Sequence, residues 1–166
     1  MHPVTESDLR ACFVNATKGE AKRLAVPKDL ADLPWADLDF LGWRDPAATQ
    51  RAYLVAGSPG GLVGVALRVA PQTGQVRRSM CSLCLTTHGG DGVSLMTALR
   101  AGPSGRAGNS VGVYLCSDLA CSLYLRGTRD AAGGRLQETI SLEQKIERTT
   151  TALAAFLTKV TAPTSP

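Results

Sequence analysis

Four cysteines in the second half of the chain form two closely spaced pairs. Two residues separate Cys81 from Cys84, and four residues separate Cys116 from Cys121. Structural zinc sites use four thiolate or imidazole ligands arranged as a tetrahedron, and a short Cys-x2-Cys turn brings two sulfurs toward one point. The two pairs therefore predict a single structural Zn2+ ion that binds all four cysteines and has no open coordination position.

Other interpretations of these thiols stay open from the sequence alone. The four cysteines could be unlinked buried thiols, or Cys81 and Cys84 could form a redox pair, although a thioredoxin-like context is absent. His88 follows Cys84 at a spacing that zinc sites permit, so it is an alternative ligand. With four cysteines at hand, we favour a role for His88 beside the site or in contact with a partner. The fifth cysteine, Cys12, is interpreted as a core thiol.

The residues near the cysteines do not form a convincing catalytic group. His88, Asp91 and Ser94 fall within seven residues of one another, but the surrounding GGDG turn provides no nucleophile elbow. Four thiolates also fill the coordination sphere of the metal. We therefore expect a binding module rather than an enzyme, with no small-molecule substrate. A zinc enzyme would require one of the four cysteines not to be a ligand.

Composition and termini place further limits on function. The chain has 166 residues, 44% of them hydrophobic, and a formal net charge of +4, which permits an acidic partner without requiring one. The N-terminus lacks the basic and apolar regions of a secretory signal, and no run reaches the ~18 apolar residues of a membrane span. We expect a cytoplasmic protein that does not bind membranes, with reduced thiols that are available to a metal.

The elements that must position the cysteines are predicted to form an α+β fold. It consists of an antiparallel β-sheet and hairpins, a treble-clef zinc finger, and flanking N- and C-terminal helices. The first three strands should form a meander and the last two a hairpin across a glycine-rich tip at 102–109. The predicted strands cover residues 51–57, 62–70, 75–80, 93–101 and 110–116.

A short helix should complete the zinc finger over residues 117–127. Either Ser117 or Asp118 is expected to cap its start, and Gly127 is expected to end it. Cys121 would then lie in the first turn of this helix, where the positive end of the helix dipole favours a thiolate.

Helices are also predicted near both ends of the chain, at 5–17 and at 141–160. Each begins with a capping box, formed by Thr5 with Asp8 and by Ser141 with Gln144. Each carries an apolar stripe, which consists of Leu9, Cys12, Phe13 and Ala16 in the first helix and of Leu142, Ile146, Leu153, Leu157 and Val160 in the second. The large aromatic residues between them, Trp35, Phe40 and Trp43, should anchor the core.

Three stretches resemble a known family: DFLGWRDP, RRSMCSLCLTTHGGDGVSLM and YLCSDLACSLYLRG. They are similar to the FBP domain, a treble-clef zinc finger shared with proteins that bind elongation factor G and confer fusidic-acid resistance. The resemblance covers roughly residues 4–160 and is closest to short, single-domain bacterial members. It implies that the four cysteines are the zinc ligands and that the domain docks onto elongation factor G.

The resistance proteins also carry a separate N-terminal helical bundle, for which this chain has room for only one or two short helices. The resemblance thus implies factor binding more directly than drug rescue. We expect an N-terminal helical segment at 1–28 and an FBP-type domain at 29–162. That domain should include the zinc finger at 76–128 and the helix at 141–160, and a loose tail should follow at 163–166.

Two binding functions follow from this sequence. The first is docking onto elongation factor G or the ribosome in translation, through residues expected to be exposed beside the zinc site: His88, Met96, Arg100, Arg106, Tyr124 and Arg126. The second is RNA binding by an arginine-rich face made of Arg77, Arg78, Arg100, Arg106, Arg126, Arg129 and Arg135. Aromatic residues make up only 5% of the chain, which disfavours the second function.

Overall fold

The computed structural model describes residues 1–71, 78–131, 133 and 138–162. Its strands are β1 Leu41–Arg44, β2 Arg51–Ser58, β3 Gly61–Val69, β4 Ser79–Met80, β5 Thr87–His88, β6 Val93–Leu99 and β7 Ser110–Cys116. Its helices are α1 Glu6–Ala11, α2 Lys18–Arg23, α3 Gly102–Arg106, α4 Cys121–Arg126 and α5 Leu142–Thr161, with two 3₁₀ turns at Leu30–Asp32 and Trp35–Asp37. This mixture of helices and antiparallel sheet confirms the predicted α+β class.

A five-stranded antiparallel sheet in the order β1-β2-β3-β6-β7 is the centre of the fold. The hairpin β2–β3 and the hairpin β6–β7 form where the alternating apolar pattern predicted them. The tip of the second hairpin turns at Gly102 and Gly108, which both have positive φ as its glycine content predicted, and residues Gly102–Arg106 form a short helix within it. Gly105 packs there against the carbonyl of Arg100, where a Cβ atom would have no room.

The strand predicted at 75–80 does not extend the first hairpin into a meander. Of its residues, 75–77 lie outside the described part of the chain, while Ser79 and Met80 pair with Thr87 and His88 in a separate two-stranded ribbon. The neighbour of β3 is β6 instead. A turn follows Met80 and returns the chain so that β5 pairs with β4.

The sheet separates two hydrophobic cores, because successive side chains of a strand point to opposite faces. On one face, which we call the C-terminal core, α5 and the zinc-finger segments pack against residues such as Leu54, Leu67 and Met96. On the other face, the N-terminal core contains Leu9, Trp35, Leu41, Trp43, Tyr53 and Val55. The predicted burial of Trp35, Phe40 and Trp43 is confirmed.

The predicted N-terminal helix at 5–17 is too long. Its Thr5–Asp8 capping box is present, but the helix ends at Ala11. The chain then extends so that Phe13 forms a parallel bridge with Gly64 of β3. A second capping box, between Thr17 and Glu20, starts α2. Pairing with the sheet at Phe13 thus overrides the continuous helical periodicity. Cys12 packs into the N-terminal core as expected, and burial raises the pKa of its thiol to about 11.

The C-terminal helix is confirmed, including its Ser141–Gln144 capping box. Leu153, Leu157 and Val160 of the predicted stripe are buried, together with Thr149 and Phe156, whereas Leu142 is exposed and Ile146 is only partly buried. The hydroxyl of Thr149 donates a hydrogen bond to the carbonyl of Leu83 at 3.1 Å. The predicted tail at 163–166 lies outside the described residues. Among the described residues, no helix combines the length and apolarity that crossing a membrane demands.

Candidate metal centre

Four buried sulfur atoms meet at one point between the turn after β4, the end of β7 and the start of α4. All four Sγ atoms lie within 4.8 Å of one another. The Sγ atoms of Cys81 and Cys121 are 3.7 Å apart, and those of Cys84 and Cys116 are 3.5 Å apart. A tetrahedral zinc site with Zn–S bonds of about 2.3 Å places its sulfurs about 3.8 Å apart. The sulfurs are too distant for disulfides, which need about 2.05 Å, and their arrangement fits structural zinc.

The first pair of cysteines is positioned by a knuckle of backbone hydrogen bonds. The amide of Cys81 donates to the carbonyl of Thr86 at 3.0 Å, and the amide of Leu85 donates to the carbonyl of Cys81 at 3.0 Å. Leu85 adopts a left-handed conformation with φ of 56°, which is unusual for a leucine. This turn brings Cys81 and Cys84 to the same side of the β4–β5 ribbon, and the hydrogen bond from Thr149 holds it against α5.

The second pair is positioned by the end of a strand and the start of a helix, as the sequence predicted. Cys116 is the last residue of β7, and Cys121 is the first residue of α4. The predicted cap is wrong, since Ala120 occupies the N-cap position without a side-chain hydrogen bond. Asp118 instead accepts a hydrogen bond from the amide of Ala120 at 3.0 Å. Gly127 ends the helix in the left-handed conformation, as expected.

Hydrogen bonding within the cluster distributes protons unequally among the four thiols. The side chains of Cys116 and Cys121 hold the pKa of Cys81 well below its ordinary value. Hydrogen bonding to Cys116, Cys81 and Cys84, together with burial, raises the pKa of Cys121. A bound divalent cation favours the thiolate at every ligand position, which removes this competition for protons. A buried set of four sulfurs therefore suits zinc better than it suits four independent thiols.

His88 lies beside the sulfur cluster rather than on the surface. Its side chain is buried, and its Nε2 atom is 3.3 Å from the Sγ atom of Cys116. The edge of the imidazole faces the ring of Tyr124 at a centroid distance of 4.7 Å. Gly92 makes this packing possible, because a Cβ atom there would lie 2.4 Å from the Cβ of His88. An N–H at Nε2 would donate to the sulfur of Cys116, an interaction that orients and tunes metal ligands.

Burial overturns the expected exposure of three predicted contact residues. His88, Met96 and Tyr124 are all buried. Met96 faces the C-terminal core, while the hydroxyl of Tyr124 donates to the carboxylate of Asp118 at 2.8 Å. Met96 lies on the buried face of β6, and Tyr124 lies on the buried face of α4.

The three predicted arginine contacts differ in their freedom to reach a partner. Arg126 donates two hydrogen bonds to the carboxylate of Asp39, at 2.7 and 2.8 Å. Arg100 is partly buried and donates to the carbonyl of Lys159 at 2.8 Å. Arg106 is exposed on α3. Their contact with a partner stays a prediction.

The arginine face predicted for RNA binding is not a continuous surface of free charges. Arg77 and Arg135 lie outside the described residues. Arg126 is paired with Asp39, and Arg129 lies 3.3 Å from the carboxylate of Asp118. Of the remaining members, Arg100 and Arg106 both lie at the tip of the β6–β7 hairpin, whereas Arg78 directly precedes β4.

Two exposed side chains next to the cysteines were missed by the sequence analysis. Met80 immediately precedes Cys81 and is 46% exposed, and Tyr114 on β7 is 53% exposed. The amide of Ser82 donates to the carbonyl of Tyr114 at 2.8 Å, which ties the knuckle to β7. The signal for Tyr114 was available, since it shares the outward face of β7 with Ser110 and Gly112.

Comparison with known proteins agrees with this geometry. Neither the curated proteins nor the solved structures give a significant match. The sequence model of the FBP C-terminal treble-clef zinc-finger family matches residues 8–160, which is nearly the whole chain. The match includes all four clustered cysteines, and the two findings together support a structural zinc ion. The chain therefore belongs to the FBP C-terminal treble-clef zinc-finger family.

Proposed function

We propose that this zinc-stabilised module docks onto elongation factor G or the ribosome during translation. The observation that carries the proposal is an exposed apolar side chain, Met80, at the end of β4 directly before the turn that holds two of the four cysteines. Methionine is over-represented at adaptable binding surfaces, because its flexible, polarizable side chain fills irregular gaps. The resemblance to elongation factor G-binding proteins supports the choice of partner.

The four cysteines would contribute to docking by making the contact surface rigid. Zinc bound to them would supply folding energy and no reactive position, since four thiolates complete its coordination. The chain's own hydrogen bonds, such as that from Ser82 to Tyr114, fix the knuckle against the hairpin. The conformational entropy of this surface would be lost on folding and not on binding, so a partner would bind it with higher affinity. His88, Met96 and Tyr124 would support this surface from inside.

The proposal is tested by capture of elongation factor G from a bacterial lysate on the tagged, zinc-loaded protein, followed by the same measurement with purified factor. Met80→Ser should reduce capture at least fivefold, because it removes an exposed apolar anchor without changing the core. Leu142→Ser is the matched control, since Leu142 is also a large exposed apolar residue, with 39% of its surface accessible, but lies at the start of α5.

Zinc content measured on the same samples separates docking from folding. Cys81→Ser should lose both zinc and capture. Enrichment of the factor that is no greater for the wild-type chain than for Cys81→Ser would refute the proposal. Equal losses from Met80→Ser and Leu142→Ser would show that the knuckle is not the docking surface.

A further inference from the structure

On the face of the sheet that carries the N-terminal core, part of the sheet is exposed to solvent. Residues directly opposite one another in neighbouring antiparallel strands point to the same face. Arg51 of β2 lies opposite Arg68 of β3, Arg68 lies opposite Thr97 of β6, and Thr97 lies opposite Gly112 of β7. These four residues form a row across four strands that spans about 14 Å at the usual strand spacing. We call it the arginine row.

Two like charges face each other at one end of this row. Arg51 and Arg68 are both exposed, and a directly opposed cationic pair on adjacent strands is unfavourable without a counterion. Within the described part of the chain, neither guanidinium forms a salt bridge. Glu20 interacts electrostatically with Arg51, and one of its carboxylate oxygens also accepts hydrogen bonds from the amide and hydroxyl of Thr17. One carboxylate balances only one of the two opposed arginines, so the pair keeps a positive charge that an external anion would balance.

A groove of about 400 Å³ adjoins the two arginines. Arg23 of α2 contributes a third guanidinium to its lining, and Phe13 and Leu99 contribute apolar surface. The groove also contains the carboxylates of Asp45 and Glu20, so three arginines against two acidic groups leave it a formal charge of +1. A groove with projecting guanidinium groups and an apolar wall matches the chemistry of a phosphate attached to a flat organic group.

The other end of the arginine row offers an aromatic surface. Tyr114 follows Gly112 by two residues on β7, so both point to the same face, and the tyrosine is 53% exposed. Leu95 lies opposite Tyr114 and provides a partly buried apolar neighbour. Gly112 has no side chain, which leaves space between Tyr114 and the arginines. An exposed aromatic ring with cations on the same sheet face is an arrangement that binds unpaired bases by stacking.

We infer that this face binds single-stranded RNA, with phosphate groups at Arg51 and Arg68 and a base stacked on Tyr114. Charge complementarity selects the phosphate backbone, and the accessible ring selects unpaired bases over a closed duplex. This surface differs from the arginine face predicted from the sequence, with which it shares no residue. It does not depend on docking at Met80, although a module with both surfaces would suit a site where a protein factor meets ribosomal RNA.

The inference is tested by fluorescence anisotropy with the full-length, zinc-loaded protein and a labelled oligouridine of about 12 nucleotides, within the usual range of single-strand sites. For a single strand, each phosphate contact contributes about −0.7 to the slope of log affinity against log salt concentration. Removing two contacts should therefore make this slope shallower by about 1.4. Arg51→Gln combined with Arg68→Gln should therefore weaken binding about tenfold or more at low salt. Tyr114→Ala should weaken it about fivefold or more, and Tyr114→Phe should restore it.

The control variant is Lys28→Gln combined with Lys159→Gln, which removes the same charge from exposed positions outside the groove. Its affinity should stay within about twofold of the wild type if the arginine row is the site. Equal losses of RNA affinity from both double variants would show that only the net charge of the protein matters, and this would overturn the inference. The absence of binding, or competition by uridine monophosphate at the oligonucleotide's own affinity, would also overturn it. So would a double arginine variant that loses elongation factor G but keeps RNA.

Discussion

The N-terminal core and the zinc-held segments are held in their folded conformations by different kinds of interaction. Short helices in the N-terminal region are held by capping boxes and by packing of Phe13, Trp43 and Tyr53, whose rings meet at centroid distances of 5.2 to 6.4 Å. The zinc-held segments, 79–88 and 116–126, contain only short regular elements and converge on four sulfurs. In the first region many weak contacts add up, whereas in the second one site supplies most of the constraint.

This difference predicts how each region responds to damage. Losing one contact of an aromatic cluster costs a few kcal/mol and leaves its neighbours in place. Losing one ligand of a structural zinc site removes the metal, whose binding contributes on the order of 10 kcal/mol to small zinc domains. The two regions also share a sheet and touch at several places, among them the pair of Arg126 with Asp39 and the packing of Gly42 on Leu119. These contacts determine how far the unfolding of one region destabilises the other.

Cys84→Ser should have the largest effect. We expect loss of stoichiometric zinc and at least 100-fold faster amide hydrogen exchange in segments 79–88 and 116–126, since their short elements cannot persist without the metal. Both tryptophans, Trp35 and Trp43, belong to the N-terminal core, so their fluorescence reports on the other region. Their emission should keep most of its folded character.

The control for this experiment is Cys12→Ser, because Cys12 is the cysteine that lies outside the sulfur cluster. It should keep its zinc. Tryptophan emission that shifts to the unfolded position in parallel with zinc loss would show one cooperative unit and remove the distinction between the regions.

The zinc-held region was the easier of the two to predict from the sequence. The spacing of cysteines indicates directly which residues share a metal site. The ligands could therefore be assigned without knowledge of the sheet, and they are Cys81, Cys84, Cys116 and Cys121. The end of α4 was equally clear, because Gly127 has the conformational freedom that a helix end requires. What the spacing did not show was the inward orientation of His88, which depends on a close approach to Gly92.

The N-terminal region was harder because its decisive contacts are between distant parts of the chain. The apolar stripe at 5–17 has a valid helical period, yet Phe13 leaves it to form a bridge with Gly64. Gly64 has no Cβ, and the side chains of Cys12 and Phe13 fill that space. Strand β1 was missed because its four residues, LGWR, carry too little alternation to be distinguished from a loop. Tertiary packing overrides local propensity in both cases.

The ion pair between Arg126 and Asp39 connects the two regions and should give the second-largest effect. Their side chains are 15% and 7% exposed, and hydrogen bonding to Asp39 raises the pKa of Arg126. Arg126→Gln should destabilise the protein by about 2–3 kcal/mol in urea unfolding, because it leaves a mostly buried carboxylate without its partner. Zinc should be retained, since neither residue is a ligand.

A double-mutant cycle sharpens this prediction. Adding Asp39→Asn to Arg126→Gln should recover part of the lost stability, because the unpaired charge is gone. Arg129→Gln is the control at the same end of α4, and its more exposed pair with Asp118 should contribute less than about 1 kcal/mol. An equal loss from both single variants would mean that the contact with Asp39 has no special role in joining the regions.

Gly42→Ala tests another junction between the regions and should have the smallest of these effects. A Cβ at Gly42 would lie 2.5 Å from the Cβ of Leu119, which is buried in the loop between Cys116 and Cys121. Leu119 already holds φ at 59°, so it has little freedom to move away. We expect a loss of about 1–3 kcal/mol in thermal or urea unfolding, as for other overpacked cores.

The matched variant is Gly57→Ala on β2, where a Cβ atom would meet nothing within 4 Å. Its stability should change by less than about 0.5 kcal/mol. If Gly42→Ala also speeds zinc transfer to a chelator while Gly57→Ala does not, the N-terminal sheet helps to hold the ligand loop closed. If the chelation rates are equal and only stability differs, the contact joins the two regions in the folded state without affecting the metal. Equal stability of the two variants would contradict the tight contact itself, because only one of the added methyl groups has a neighbour to displace.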